Sequence, residues 1–170
     1  EAILSHYNKC TDLSCIEMKD FEELKKEGLI EYISEELTKA YDDAVFSTLT
    51  DASLKEDAKE LSVVYSALHG TGFRGVKEAL TSFGIKNFYP VESQKDPDGN
   101  FPEVEVPNPE DTEVFEKAIA LGKEKNADIL LATDPDADRI GCMVLPEGEY
   151  KLINGNEMGS LMVEYLKSKG

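Results

Sequence analysis

An α/β fold, a layered domain with a mainly parallel mixed sheet and flanking helices, is predicted from two observations. Two short, mainly apolar runs, residues 61–68 (Leu-Ser-Val-Val-Tyr-Ser-Ala-Leu) and 127–133 (Ala-Asp-Ile-Leu-Leu-Ala-Thr), have the partly β-branched character of buried strands. Between and around them, apolar residues recur at helical spacing, and strands that alternate with helices pack as a sheet covered by helices. A chain of 170 residues with 41% hydrophobic content can bury a core of this kind.

Residues 1–18 lack clear periodicity and read as a linker or an incomplete element, with a disordered tag as the alternative. From Asp20 the pattern turns helical to Lys26, breaks at Gly28, and resumes with Ile30, Ile33, Leu37, Tyr41 and Ala44 as one apolar stripe, which predicts a helix packed on something. The strand over 61–68 ends at His69-Gly70-Thr71-Gly72. A helix follows over 75–83, with Val76, Leu80 and Phe83 on one face and Gly84 at its C-terminus. Residues 85–91 give a second strand. A long irregular loop rich in Asp, Pro, Asn and Gly then runs from Glu92 to Pro109, and loops of that length are usually functional or mobile. Asn108 as cap, Pro109 at the first helical position, and Glu110 and Asp111 in the first turn predict a helix to about Lys125 that turns Val114, Phe115, Ala118 and Ile119 inward. After the strand over 127–133, residues 141–145 and 150–153 read as two strands joined by a turn at a sheet edge. The last helix, about 156–167, gathers Met158, Leu161, Met162, Tyr165 and Leu166 on one face.

Composition narrows the function. A formal charge of −17 argues against nucleic-acid binding, since a phosphate backbone would be repelled. The same charge would repel an anionic small substrate, unless a metal ion reverses the local sign or cationic groups come from elsewhere in a longer protein. No apolar run approaches the roughly 18 residues that would cross a bilayer, so no membrane partner is expected. Cys10, Cys15 and Cys142 are odd in number and lack CxxC spacing, which indicates neither a disulfide framework nor a zinc knuckle and leaves a reducing cytoplasm as the expected location. The chain opens on Glu1 without a signal-peptide pattern, and an excised piece of a longer protein is the expectation.

The chemistry concentrates in Asp134-Pro135-Asp136-Ala137-Asp138-Arg139. Alternating carboxylates can converge on one point, and three so close repel one another unless a cation sits among them. Oxygen-only ligation suits a hard cation such as Mg2+, which keeps positions open for water or phosphate. Arg139 cannot ligate metal but can meet a phosphoryl oxygen. The loop follows a strand directly, where ligand sites of open α/β sheets lie. An EF-hand needs Gly at its sixth position and Glu at its twelfth; counted from Asp134 these are Arg139 and Leu145, and from Asp96 they are Phe101 and Pro107, so both counts fail. A solvated acidic turn is the bland alternative. The glycines of 69–72 read first as conformational, with His69 as a lesser candidate for ligand contact, and Asn100, Phe101 and Pro102 read as shaping the long loop. Cys142 reads as core.

The run His-Gly-Thr-Gly after a strand, then Asp-Gly-Asn-Phe-Pro, Pro-Asn-Pro-Glu and Ala-Thr-Asp-Pro-Asp-Ala-Asp-Arg, resembles in order and spacing the second domain of the α-D-phosphohexomutases, the phosphoglucomutase and phosphomannomutase family. The likeness spans about residues 20–168. Residues 28–33 with Tyr41 are similar to the family segment that enters this domain, and Asn154-Gly155-Asn156-Glu157 resembles the passage into the third. Pro135 and Ala137 depart from the commoner glycine-bearing loop and resemble the branch of bacterial phosphoglucomutases and phosphopentomutase-like relatives, which leaves the sugar open between glucose, mannose and pentose. The resemblance implies that Asp134, Asp136 and Asp138 bind Mg2+ together with an oxygen of a phosphoserine, and that Arg139 lies near the same phosphoryl group. It also implies three further domains, which carry the phosphoserine, a sugar-recognition loop and a phosphate-binding loop. No Thr-Ala-Ser-His-Asn-Pro-like run and no Gly-Glu-Glu-Ser loop occurs here.

The expected organisation is therefore a linker or remnant of a preceding domain over 1–19, a metal-binding α/β domain over 20–153, and a helix leading into a following domain over 154–170. The expected function is that of the Mg2+-binding domain of a mutase that interconverts hexose 1-phosphate and hexose 6-phosphate, inactive alone, with the hexose phosphate and the other domains of the same protein as partners. A free-standing Mg2+-dependent phosphatase with an aspartyl nucleophile and a non-catalytic metal-binding module are the alternatives.

Overall fold

The structure, a computed structural model, describes residues 1–10, 12, 14, 18–48 and 51–169. Cys15, one of the three cysteines, lies outside the described residues, as does part of the aperiodic N-terminal stretch. The chain divides into two compact units, Glu1–Tyr41 and Asp42–Gly170.

The first unit holds α1 (Ala2–Tyr7), α2 (Phe21–Lys26) and the start of α3 (Glu35–Phe46). The six-residue α1 forms where the sequence showed no periodicity, and it buries none of its residues. Asp20 caps α2, its carboxylate accepting from the amides of Glu22 and Glu23, and Gly28 breaks the chain at φ +72°. The stripe predicted from Ile30 is shorter than expected. Ser34 starts α3, its Oγ accepting from the Leu37 amide at 3.2 Å and its carbonyl from the Thr38 amide at 3.0 Å. Ile30 and Ile33 thus precede the helix, because a side-chain cap competes successfully with the apolar spacing. Leu37 and Tyr41 stay 60% and 66% exposed, so the helix does not bury the stripe that suggested it.

The second unit is a five-stranded sheet. After the short helix α4 (Lys55–Ala58) come β1 (Ser62–Ser66), α5 (Phe73–Phe83), β2 (Asn87–Pro90), α6 (Glu116–Lys125), β3 (Ile129–Thr133), β4 (Ile140–Val144), β5 (Lys151–Ile153) and α7 (Gly155–Ser168). The strand order is β2-β1-β3-β4-β5. β1 pairs parallel with β2 and with β3, while β3 with β4 and β4 with β5 pair antiparallel, so four of the five strands run one way. The hairpin expected at the edge is β4 and β5.

Alternation along the strands explains the layering. Val64, Leu130, Ala132 and Met143 face a cluster with Leu68, Phe115 and Ala118, the last of these on α6. Val63, Ile129 and Leu131 face the other way, against Leu80 and Phe83 of α5 and Ile85. The two crossover helices therefore lie on opposite faces. That is what right-handed crossovers require when β1 leads to one side and β2 returns across it to β3. Gly84 ends α5 in the left-handed region at φ +112°, as the sequence predicts.

One helix start departs from expectation. Residues Thr112–Phe115 form a 3-10 turn and α6 begins only at Glu116. Asn108 caps only a local turn: its Oδ1 accepts from the Glu110 amide at 3.3 Å, as a cap would, and also from the Arg139 guanidinium at 3.1 Å. α6 closes with Asn126 in the left-handed region, which asparagine tolerates better than most residues. The inward set survives this change, with Val114, Phe115 and Ala118 buried and Ile119 partly so. Cys142 is buried in β4, and burial pushes its thiol up, as befits a core residue. Among the described residues no helix is long and apolar enough to cross a membrane.

The long loop is pinned to the sheet at Gly141, where a Cβ would stand 2.0 Å from the Pro109 carbonyl oxygen. Gly141→Ala is therefore expected to cost about 1–3 kcal/mol of stability through overpacking. Gly99 has nothing within 4 Å of such a Cβ, and Gly99→Ala is expected to stay within about 0.5 kcal/mol. Urea unfolding of both variants beside the wild type checks the contrast.

Candidate metal centre

β1 and β3 are parallel neighbours whose connections leave in opposite directions, so the loops after them open a crevice at the switch point of the sheet. The loop after β1 is 69–72, and the loop after β3 is the aspartate loop. Below them the Tyr65 hydroxyl and Thr133 Oγ1 share a hydrogen bond of 2.7 Å between the last turns of the two strands.

Asp134 is 2% exposed and anchors its loop. Its Oδ1 accepts from the Arg139 amide at 3.0 Å and its Oδ2 from Arg139 Nε at 2.7 Å, while its carbonyl accepts from the Ala137 amide at 3.0 Å. These bonds fold six residues into a closed turn. Ala137 occupies the left-handed region at φ +59°, a position that costs a residue with a Cβ about 1–2 kcal/mol. Asp136 and Asp138 are exposed on this turn. One carboxylate oxygen from each of Asp134, Asp136 and Asp138 lies within 4.8 Å of one from each of the others.

The electrostatics split the three. Burial opposes ionisation of Asp134, but the Arg139 amide and guanidinium outweigh it and hold the carboxyl below its usual range. Asp136 first, then Asp134, push the Asp138 carboxyl above its usual range. Arg139 is raised in turn, chiefly by its bond to Asp134. The turn thus has one firmly ionised carboxylate at its base and two crowded ones at its rim.

The donor set fits a hard divalent cation. All three groups are oxygen donors, and cis oxygens around Mg2+ at about 2.1 Å stand about 3 Å apart, so a carboxylate set already within 4.8 Å needs only to contract, with the exposed Asp136 and Asp138 as its adjustable members. Asp134 still has a second lone pair on each oxygen after its bonds to Arg139.

The structure brings the four sequence-derived residues Asp134, Asp136, Asp138 and Arg139 into one turn. It does not bring His69 with them as an open group. His69 is 5% exposed, with φ +63° and its Nε2 without a hydrogen-bond partner, and its backbone is fastened to the long loop through the Gln94 carbonyl and the Asp98 amide. Asn100 donates from its amide and from Nδ2 to Asp98 Oδ1, a loop-shaping role. Sequence reasoning missed two partners of the aspartate loop. Asn108 reads from the sequence as a helix cap and as part of the Pro-Asn-Pro-Glu run, yet it also holds Arg139 from 31 positions away. Thr71 was read as part of a glycine turn, yet its amide and Oγ1 donate to the Pro135 carbonyl at 2.9 Å and 3.1 Å. No spacing signal marks contacts between loops so distant in the chain.

A mixed sheet with helices on both faces and an acidic turn at its switch point defines a layered α/β domain with a candidate ligand site at the carboxyl ends of its strands. Comparison with known proteins gives the family. Residues 39–147 match the model described as phosphoglucomutase/phosphomannomutase, alpha/beta/alpha domain II, and the chain belongs to that family. It is 36% identical over 150 residues to a phosphoglucomutase of Staphylococcus saprophyticus, covering 88% of this chain and 26% of that protein. It is 34% identical over 154 residues to a phosphomannomutase of Mycoplasmoides pirum, covering 90% of this chain and 28% of that one. A crystal structure of a phosphoglucomutase/phosphomannomutase family protein from Burkholderia thailandensis superposes with a TM-score of 0.55 at 27% identity, over 64% of this chain and 22% of that one. The chain thus spans about a quarter of the length of the curated relatives it matches.

Ala137 offers a test of the turn. Ala137→Gly relieves the left-handed strain and loosens the unfolded chain by about 0.4–1 kcal/mol, so a net gain of up to about 1 kcal/mol is expected. Differential scanning calorimetry should show Tm rising by about 2–4 °C per kcal/mol for a chain of this size.

Proposed function

We propose that this chain is the metal-holding domain of a phosphohexomutase, in which Asp134, Asp136 and Asp138 bind Mg2+ and Arg139 contacts the phosphoryl group being transferred. The convergence of three carboxylates at the switch point carries this reading, and the family supports it. The enzyme would interconvert hexose 1-phosphate and hexose 6-phosphate through a phosphoserine and a bisphosphorylated sugar. The serine and most of the cationic phosphate grip would come from other domains of the full-length protein, with 154–170 leading into the next one.

Each residue has a definable part. Asp134, ionised and locked by Arg139, sets the position of the site, and Asp136 and Asp138 complete it from the rim. Arg139 commits Nε to Asp134 and Nη1 to Asn108, and its Nη2 makes no hydrogen bond among the described residues, which leaves a donor for a phosphoryl oxygen. A bound divalent cation would supply positive charge against the phosphoryl oxygens during transfer and would reverse the local sign of an acidic surface. Because a phosphoserine oxygen would come from another domain of the full-length protein, the Mg2+ affinity of this chain is expected to be weaker than low micromolar yet sufficient for binding at millimolar Mg2+.

The same groups should trade stability against binding. Asp138 has a raised carboxyl in the folded state, so ionisation destabilises the native turn; the stability lost appears as pH rises through that raised range and is absent when the group is protonated in both states. In EDTA at neutral pH, Asp138→Asn is expected to raise Tm, and well below the usual carboxylate range it is expected to leave Tm unchanged. With millimolar Mg2+ the wild type should gain stability and Asp138→Asn should not. Thermal unfolding of both proteins across these three conditions checks the reading. A wild type whose Tm ignores millimolar Mg2+ would contradict it.

A further inference from the structure

The glycine loop after β1 is shaped against the metal loop rather than toward solvent. A Cβ at Gly70 would stand 2.4 Å from Pro135 Cα and 2.6 Å from its carbonyl oxygen, and a Cβ at Gly72 would stand 2.5 Å from the Tyr65 hydroxyl and 3.3 Å from the Ala137 Cβ. Between these two glycines Thr71 donates twice to one acceptor, the Pro135 carbonyl, from its amide at 2.9 Å and from Oγ1 at 3.1 Å. Pro135 has no amide of its own to tie down the first residue after Asp134, so its carbonyl is the point at which that residue can be held from outside.

Thr71 is itself held. The Gly70 amide donates to the Ala67 carbonyl at 2.7 Å, the His69 amide to the Gln94 carbonyl at 2.9 Å, and the Asp98 amide to the His69 carbonyl at 3.0 Å. Leu68 and His69 both sit at positive φ, +46° and +63°. Two consecutive residues with side chains in that region cost energy and persist only where surrounding bonds over-determine them. Their strained path delivers the Thr71 donors to Pro135. Thr71 is exposed, so its hydroxyl is not needed to satisfy or fill a core.

We infer that Thr71 is a positioning residue for the metal site: by gripping the Pro135 carbonyl it fixes the turn between Asp134 and Asp136 and pre-sets the separation of their carboxylates. The inference rests on the proposed metal-holding function of the three aspartates. Three mutually repelling carboxylates hold a compact geometry only if the backbone beneath them is constrained from outside, and a site held rigidly loses less on binding than one that must first be ordered.

The test uses the chain as it stands, with Thr71→Val and Thr71→Ser beside the wild type. Mn2+ binding, read from the electron paramagnetic resonance signal of free ion, should weaken roughly five- to tenfold in Thr71→Val, about one to 1.4 kcal/mol at the usual tenfold equivalence. Thr71→Ser, which keeps the hydroxyl, should bind within about twofold of wild type, and all three proteins should melt within a few degrees. Equal Mn2+ affinity in Thr71→Val and wild type, or equal loss in Thr71→Ser and Thr71→Val, overturns the inference. Amide hydrogen exchange in metal-free buffer separates the clamp from the metal. Exchange at Ala137 and Arg139, whose amides bond to Asp134, should accelerate about tenfold in Thr71→Val while the β3 amides stay unchanged. If the wild type binds no Mn2+, the proposed function fails, and the exchange result alone then upholds or overturns the clamp.

Discussion

Because β1 and β3 pair in parallel with no strand between them, and their connections leave to opposite sides, the loops that follow them are forced to face each other. Every feature of the site depends on that juxtaposition. The apolar alternation along both strands fixes their register, since a slip of one residue would turn Val64 and Leu130 away from the α6 side and Val63 and Ile129 away from the α5 side. Once the register is set, Tyr65 meets Thr133, Gly70 meets Pro135 and Gly72 meets Ala137. The aspartate loop is therefore held on a frame built by the core, and is not a free surface turn.

Within the loop, one ion pair with a buried carboxylate and a half-exposed arginine organises two exposed charges. Asp134 is nearly inaccessible, and a carboxylate so placed is tolerated because the Arg139 amide and guanidinium both bind it. The guanidinium is half exposed, so the pair is better regarded as a geometric lock than as a large source of stability. The lock gathers Asp136 and Asp138 close enough to repel, as the raised Asp138 carboxyl shows. Unrelieved repulsion of this kind is a local conflict between fold and charge, and such conflicts concentrate where function needs them.

Much of this was legible in the sequence for identifiable reasons. The runs around Val63 and Leu130 could be read as strands because buried parallel strands need continuous apolar character, and Gly84 marked a helix end because few other residues accept its backbone angles. The aspartate loop was legible because chemistry put three carboxylates at alternate positions directly after a strand. What failed did so where two local signals competed. Ser34 capped a helix inside an apolar stripe that continued upstream of it. Asn108 makes the bond to the Glu110 amide that marks a cap, yet α6 starts only at Glu116, and the same side chain also meets Arg139, a contact set by tertiary folding. The hold of Thr71 on Pro135 was invisible for the same reason, since it joins two loops through the register of β1 and β3.

Membership of the phosphoglucomutase/phosphomannomutase family agrees with this geometry, and the chain spans about a quarter of the length of its curated relatives; under the proposed function it would contribute a cation site to a larger cleft. The most direct measurement is an anomalous difference map from crystals of the chain soaked in Mn2+. The account predicts a single strong peak about 2.2 Å from carboxylate oxygens of Asp134, Asp136 and Asp138. A peak elsewhere, or none on these three residues in well-ordered crystals, would contradict it.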